Sequence, residues 1–415
     1  MITNVTSDIN KINSKQTNNK HNRMAINQNN VYTIAEKLAF PRLIGSKGEK
    51  EAIHILLDEF NKAGFNDIHR DKFKTSFYNW IVLRYAFFPI GLCLLISALI
   101  IYINSFFTIG FICLSFYIAY KVLGLATTSK IKLLKYEEKN YETENIYVCL
   151  KSNNSKAKVI FIAHWDSKSQ TFSSSIRILI FIIFAFGCII LYIIYLILSI
   201  VKIFISFDVP LLTHILLVIS IIIVVIGCLN YFNKTANNSP GAYDNAAAVG
   251  TVIELARYYK NNPIDNLDLI FLCTSSEELN LGGAKHFIQT YKKDFDKNST
   301  YFINFDLIGG KELIRLITSY GIPRKTSSKK LTKLFLQSAK ELKVNIKDIY
   351  LPTGAWSDYM PIVKEGFEAC WIGSQPGLKY VHTTKDNMDL VSKEGIESVL
   401  LLCVDVVEKL NNEFN

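Results

Sequence analysis

Four long apolar stretches limit what this chain can fold into. "YAFFPIGLCLLISALIIYI" (85–103) and "FFTIGFICLSFYIAY" (106–120) are separated only by Asn104-Ser105. "ILIFIIFAFGCIILYIIYLILSIV" (178–201) and "VPLLTHILLVISIIIVVIGCLNY" (209–231) are separated by a short segment holding Lys202 and Asp208. Crossing the hydrocarbon of a bilayer takes about 20 apolar residues. The third and fourth stretches reach that length and the first nearly does. The second continues through "VLGLA" once the Lys121 head snorkels to the interface. A buried helical hairpin in a soluble core is the competing reading, and uncharged runs of this length weigh against it. Two transmembrane hairpins are therefore expected, at 80–126 and 177–231, giving a multi-pass integral membrane protein with four spans.

Charge sets the expected orientation. Lys72, Lys74, Arg84, Lys121, Lys130, Lys132, Lys135, Lys168, Arg177 and Lys234 surround the bases of the hairpins, whereas only Lys202 is basic at the tips. The positive-inside bias then puts the polar regions in the cytoplasm. The formal net charge of +10 suits a body held against anionic lipid. No basic stripe interleaved with aromatics is present, so nucleic acid is not expected as a partner. Residues 1–30 are polar and rich in Asn and Lys, which reads as a disordered tail without a secretory signal. The eight cysteines show no paired spacing and read as small buried hydrophobes in a reducing compartment.

With the hairpins removed, strands and helices alternate. Residues 47–62 carry a helical apolar period. "DIHRDKFKT", "NIYVCLK", "KVIFIAHWDS", "LDLIFLCT", "YFINFD", "LIRLITS" and "ACWIGS" read as strands. Residues 244–260, 281–293, 327–342 and 395–411 read as helices. This pattern predicts an α/β fold, a mixed, mostly parallel sheet sandwiched by helices. The polar part is expected as one domain built from 31–79, 127–176 and 232–415.

"SSEELNLGG" (275–283) places two carboxylates, Glu277 and Glu278, directly after the buried strand "LDLIFLCT". Adjacent carboxylates raise each other's proton affinity unless a positive partner lies beside them. Other polar residues also stand at strand ends, where open α/β sheets bind ligands. His164 and Asp166 follow "VIFIA", Asp244 follows Pro240-Gly241, Asp306 ends "YFINFD", and His382 lies in "YVHTTKDN". Singly, each has a plain explanation: a helix cap, a solvated pair, a hydrogen-bonded histidine. His21, His54, His69 and His286 are read as bystanders, and His214 sits in a span without an evident partner. Taken together, two histidines and three or more carboxylates at sheet edges suit a pair of divalent ions.

The blocks "IAHWDS", "SPGAYDNAAAVG", "TSSEELNLGGAKHF", "NFDLIGG", "SDYMPI" and "VHTTKDN", in this order, resemble the co-catalytic di-zinc aminopeptidases of metallopeptidase family twenty-eight. Glutamate carboxypeptidase, glutaminyl cyclase and the inactive transferrin receptor are relatives. "LAFPRLIGSKGEKEAIHILLDEFNKAGF" is similar to that family's amino-terminal helix. The resemblance implies the zinc exopeptidase fold and two zinc ions. Asp244 would bridge them, His164 and Asp306 would complete one site, and Glu278 and His382 the other. Asp166 would orient His164, and Glu277 would be the general base toward a metal-activated water. The Asp244–Asn245 peptide would be cis. The implied activity is a membrane-bound exopeptidase removing amino-terminal residues from peptides. Trp356, Ser357 and Asp358 in "LPTGAWSDYMPI" are candidate substrate contacts, with a structural loop and helix cap as the even alternative.

Two features depart from the family pattern. Val381 occupies the place where several relatives carry a tyrosine before the last histidine, and Tyr380 stands one residue earlier, so its oxyanion contact is open to question. The separation of His164 from Asp244 is stretched by the second hairpin, which puts the site near the bilayer surface. A non-catalytic receptor or scaffold on the same fold and a single-zinc glutaminyl cyclase are the competing functions. The former is disfavoured by the complete set of five ligands and the base.

Overall fold

The computed structural model describes residues 25–126, 128–205, 210–311, 313–374 and 378–414. Most of the segment read as a tail, 1–24, lies outside them, as does Asp208. Within the remainder of that segment a helix, Gln28–Leu38, begins three residues before residue 31. Its Val31, Ile34, Ala35 and Leu38 are buried against the helix Ala247–Asn261 and the carboxy-terminal helix. The next helix, Lys47–Lys62, matches the expected span. Ser46 caps it by accepting from the Glu49 amide, and Glu49 reaches back to the Gly45 amide.

Eleven strands are described: β1 His69–Thr75, β2 Tyr141–Leu150, β3 Ala157–His164, β4 Ser169–Gln170, β5 Thr235–Ala236, β6 Leu267–Thr274, β7 Thr300–Phe305, β8 Ile314–Tyr320, β9 Lys325–Thr326, β10 Ile346–Leu351 and β11 Glu368–Ser374. The main sheet runs β1-β2-β6-β3-β7-β11-β8-β10, with β9 on β8. Its centre, β6-β3-β7-β11, is parallel, while β2 and β8 run against it. Central strands covered on both faces need apolar residues throughout, which is why β3 reads "AKVIFIAH" without alternation. The expected mixed, mostly parallel sheet between helices is what forms. The expected helix over 244–260 is replaced at its start by an irregular turn, Ala242–Ala246, and the regular helix begins at Ala247. Strand β10 was not expected. It is an edge strand, half exposed, and its "IKDIYL" carries little apolar signal.

Four helices are long and apolar enough to cross a membrane: Tyr78–Ile100, Ser105–Leu125, Ser174–Phe204 and Pro210–Phe232. They share a core of their own around Leu94, Ala98, Ile112, Phe184, Leu191, Tyr195 and Leu216, distinct from that of the sheet. Two pairs of polar side chains link them: the Tyr192 hydroxyl donates to Ser115 Oγ (2.7 Å) and Tyr195 shares a hydrogen with Ser220 (2.9 Å). Gly227 lets two helices close up, since a Cβ there would meet the Phe184 ring at 2.2 Å. Phe88, Phe107, Ile190, Leu211 and Val225 face outward, exposed. The third helix has 31 residues. At 1.5 Å per residue, it is longer than a hydrocarbon core of about 30 Å by roughly ten residues.

Candidate active site

Three neighbouring parallel strands, β6, β3 and β7, deliver the cluster. Their carboxyl ends carry Glu277 and Glu278, His164, and Asp306 respectively. Asp244 comes from the irregular turn after Gly241, where glycine is required twice over: φ is 60°, and a Cβ would meet Ser167 at 2.6 Å. The Asp244–Asn245 peptide is cis. Ser276 (φ 60°), Leu307 (φ 62°) and His382 (φ 63°) also hold left-handed backbone, each at or beside a cluster residue.

Asp244 stands between the two histidines. Its Oδ1 lies 3.2 Å from His164 Nε2 and its Oδ2 3.3 Å from His382 Nε2. His164 Nε2 is 3.9 Å from Asp306 Oδ1 and 3.9 Å from Glu277 Oε2, while His382 Nε2 is 3.1 Å from Glu278 Oε2. The ligand atoms of His164, Asp244 and Asp306 lie within 4.8 Å of one another, and so do those of Asp244, Glu278 and His382. Both groups could hold a metal ion, and Asp244 belongs to each. Buried polar atoms ordinarily find partners, yet His164 Nε2 and Glu278 Oε1 are buried without a hydrogen bond. His164 is close to Asp244 but poorly aimed for hydrogen bonding, as a nitrogen lone pair directed at a cation would be.

Asp166 approaches His164 differently from the expected arrangement. Its backbone carbonyl lies 3.1 Å from His164 Nδ1, with the carboxylate farther off at 3.7 Å. The Asp166 carboxylate instead accepts from the Glu277 and Glu278 amides (3.1 and 3.2 Å) and so fixes the paired glutamates.

Burial, reinforced by Glu278, Asp306 and Asp358 against the opposing pull of His164, pushes the Glu277 carboxyl well above the usual range. Its neighbour goes the other way: burial opposes the shift, but His382 and Lys168 bring Glu278 down to about 2. The two glutamates that are adjacent in sequence thus differ in proton affinity, the arrangement that separates a base from a permanent anion.

The expected substrate contacts divide. Ser357 is buried and bonded to Asn304 (3.2 Å). Asp358 is buried, accepts from Thr274 and is pushed up to about 7 by burial and the neighbouring Asp166 and Asp306. Trp356 is half exposed and donates to Asn280 on the loop after the glutamates (3.1 Å). Tyr380 places its ring beneath Lys379 Nζ (4.7 Å), and its carbonyl bonds Thr383, while Val381 is buried. Among the bystanders, His286 pairs with Asp71 (3.0 Å) and His214 turns Nδ1 to the Pro210 carbonyl (2.5 Å).

Several residues at the centre were not singled out from sequence as site residues. Lys168 Nζ lies 2.7 Å from Glu278 Oε2, and Arg177 donates to His382 Nδ1 (2.7 Å). Both had counted only as charges at the hairpin bases. Trp80, in the first membrane helix, donates to the Glu278 carbonyl (2.6 Å). Arg42 is fully buried and donates to the carbonyls of Leu38 (2.6 Å), Phe40 (3.2 Å), Pro240 (2.6 Å), Gly241 (2.8 Å) and Trp165. It ties the amino-terminal segment to the loops carrying His164 and Asp244. Asp386 accepts from the Tyr243 amide (2.8 Å) and steadies the same turn. The signal available for Arg42 was a lone arginine in the apolar run "LAFPRLIG".

The comparisons with known proteins agree with this fold. The curated Aminopeptidase YwaD of Bacillus subtilis (strain 168) is 26% identical over 178 residues, covering 38% of this chain and 35% of that protein. The match thus spans about a third of the relative's length. Among solved structures, the aminopeptidase from Aneurinibacillus sp. strain AM-1 superposes with a TM-score of 0.56 at 14% identity, over 92% of this chain and 94% of that one. BSAP, a zinc aminopeptidase from Bacillus subtilis, gives 0.54 at 14% over 94% and 96%. An Acidobacteriales bacterium glutaminyl cyclase gives 0.54 at 14% over 94% and 97%. At these identities the structures establish the fold. A family model described as Peptidase family M28 matches residues 229–407, the region of this chain that carries Asp244, Glu277, Glu278, Asp306 and His382.

Proposed function

We propose that the chain is a membrane-embedded zinc exopeptidase that hydrolyses the amino-terminal residue from peptides. The convergence of His164, Asp244, Asp306, Glu278 and His382 around two buried atoms without hydrogen-bond partners carries this reading. In it, His164 and Asp306 would hold one zinc, Glu278 and His382 a second, and Asp244 would contribute to both. Nitrogen and carboxylate oxygen donors in this number suit zinc. Bound zinc supplies the Lewis acidity that makes a water reactive near neutral pH and polarises a peptide carbonyl.

This chain's own residues do the remainder. Glu277, its Oε2 turned toward His164 and its backbone fixed by Asp166, accepts the proton of the attacking water and returns it to the departing amine. Asp166 positions the paired glutamates and, through its carbonyl, the His164 ring. Trp356, Ser357, Asp358 and Tyr380 are the proposed substrate side of the cleft. The domain organisation is one peptidase domain, 31–79, 127–176 and 232–415, interrupted by the hairpins at 80–126 and 177–231, with the site on the cytoplasmic side.

Digestion of a peptide library by purified protein, with and without a chelator, tests the reading. Stepwise release of amino-terminal residues that stops with the chelator is expected. Cyclisation of glutamine-led peptides without cleavage would favour a glutaminyl cyclase, and no turnover with zinc bound would favour a scaffold.

A further inference from the structure

The two groups of ligating side chains stand in unlike electrostatic surroundings. Around His164, Asp244 and Asp306 the acidic neighbours are Asp166, Glu277 and Asp358, while the buried Arg42 guanidinium acts on Asp244 and Glu278 alike. Around Asp244, Glu278 and His382 stand two cations. Lys168 Nζ lies 2.7 Å from Glu278 Oε2, the oxygen that faces His382, and 3.2 Å from the Glu278 carbonyl. Its side chain is 3% exposed, so water does little to screen it. The Trp80 ring lies 4.2 Å from the same ammonium and the Trp80 indole bonds the same carbonyl, which confines Lys168 to this place.

Arg177 adds a second constraint by chemistry rather than charge alone. A guanidinium has donors and no acceptor. With Arg177 Nη2 2.7 Å from His382 Nδ1, that nitrogen must accept. In a neutral ring the proton then sits on Nε2, the nitrogen facing Asp244 and Glu278. A ligating histidine normally has the reverse arrangement, a free lone pair toward the metal and a proton donated outward. His164 has that arrangement available, with Nδ1 3.1 Å from the Asp166 carbonyl.

We propose that Lys168 and Arg177 make the Asp244–Glu278–His382 group the weaker of the two cation sites, so that zinc fills His164–Asp244–Asp306 first and the second group only at a much higher free concentration. This deepens, and rests on, the reading of both groups as metal sites. Lys168 lies on the loop entering the second hairpin, Arg177 on that hairpin and Trp80 on the first, so the membrane insertions set the loading of the centre besides anchoring it.

The test is equilibrium zinc binding by the full chain in detergent, dialysed against buffered free zinc and counted as metal per protein. Wild type should hold one zinc across at least about a tenfold range of free zinc before the second enters, in line with outer-partner effects on metal affinity. Lys168→Met should lower the second midpoint by about tenfold or more and leave the first in place, and Lys168→Arg should retain the wild-type profile. Should Lys168→Met fail to give the far-ultraviolet circular dichroism of the folded chain, Arg177→Met provides the same comparison. Glu278→Gln should keep the tight zinc and Asp306→Asn should lose it. Simultaneous filling in wild type, an unchanged second midpoint in folded Lys168→Met, or tight binding that survives Asp306→Asn but not Glu278→Gln would overturn the proposal while leaving the exopeptidase reading intact. No zinc bound at all would overturn both.

Discussion

The indole N–H of Trp80, in the first turn of the first membrane helix, donates to the backbone carbonyl of Glu278 at 2.6 Å. A hairpin serving only as a tether would not need a bond to the strand-end loop that carries the paired glutamates. Trp80→Phe keeps a ring beside Lys168 and removes that donor. A typical intramolecular hydrogen bond is worth roughly 0.5–1.5 kcal/mol, so the variant should unfold at a slightly lower denaturant concentration. Turnover in the same detergent should also fall, because the Glu278 backbone loses one of its fixings. Equal midpoints and equal turnover would reduce the hairpin to an anchor.

Glu277→Gln is nearly isosteric, and the amide cannot take a proton from water. General-base contributions are typically about 10²–10⁴-fold, and hydrolysis should fall by an amount in that range. Zinc content should not change, since Glu277 is in neither ligand group. Full activity at unchanged metal content would remove Glu277 from the chemistry.

Arg42 offers a prediction about the scaffold. Its guanidinium serves five backbone carbonyls from three separate segments, with no carboxylate hydrogen-bonded to it. Burial lowers its pKa to about 10, with Asp386, Asp166 and Asp244 pulling the other way, so it remains charged at neutral pH. Lysine presents three donors from one point and cannot reproduce the planar fork. Arg42→Lys should therefore leave at least two of the five carbonyls unpaired and cost about 2–6 kcal/mol, at about 1–3 for each buried acceptor left unmade, read as a large drop in unfolding midpoint. A drop below about 1 kcal/mol would mean that the loops carrying His164 and Asp244 hold their places without it.

How much of this was legible in the sequence depends on where the information lies. Strand β6 matches its expected span, Leu267–Thr274, because a buried central strand writes its environment into consecutive apolar letters. The five residues proposed as ligands could be singled out as a set because each sits in a distinctive block and the order of the blocks resembles that of a known family. The helix Gln28–Leu38 carries Val31, Ile34, Ala35 and Leu38 at helical spacing, but polar neighbours lower its average hydrophobicity and hide it within a tail-like segment. Lys168 and Arg177 could not be assigned to the site at all. A basic residue beside a membrane helix has the same sequence context whether it faces lipid headgroups or a buried glutamate, and only the packing of β3, β6 and the hairpins distinguishes the two. Asp166 shows a subtler limit: its place next to His164 was evident, whereas its carboxylate bonds to the Glu277 and Glu278 amides required the fold.

Lys285 gives a prediction in pH. It sits on the helix Gly282–Tyr291 that follows the glutamate loop, buried, its Nζ without a hydrogen-bond partner, in a small pocket with Trp356 and Lys364. Burial, helped by Lys364 and opposed by Asp358, lowers its pKa from 10.5 to about 7. Between those two values the unfolded chain holds a proton that the folded chain does not, so stability rises with pH across the interval. As pH falls, stability present above pH 10.5 is lost progressively and the full penalty is reached below about pH 7. Each pH unit crossed in that interval costs at most about 1.4 kcal/mol. Lys285→Met removes the titrating group while keeping the apolar stem. The variant should unfold at a higher temperature than wild type at pH 6.5, and the gain should shrink steadily toward pH 10. A gain independent of pH would place the ammonium in contact with water and would leave the burial of the side chain, not of its charge, as the source of the difference.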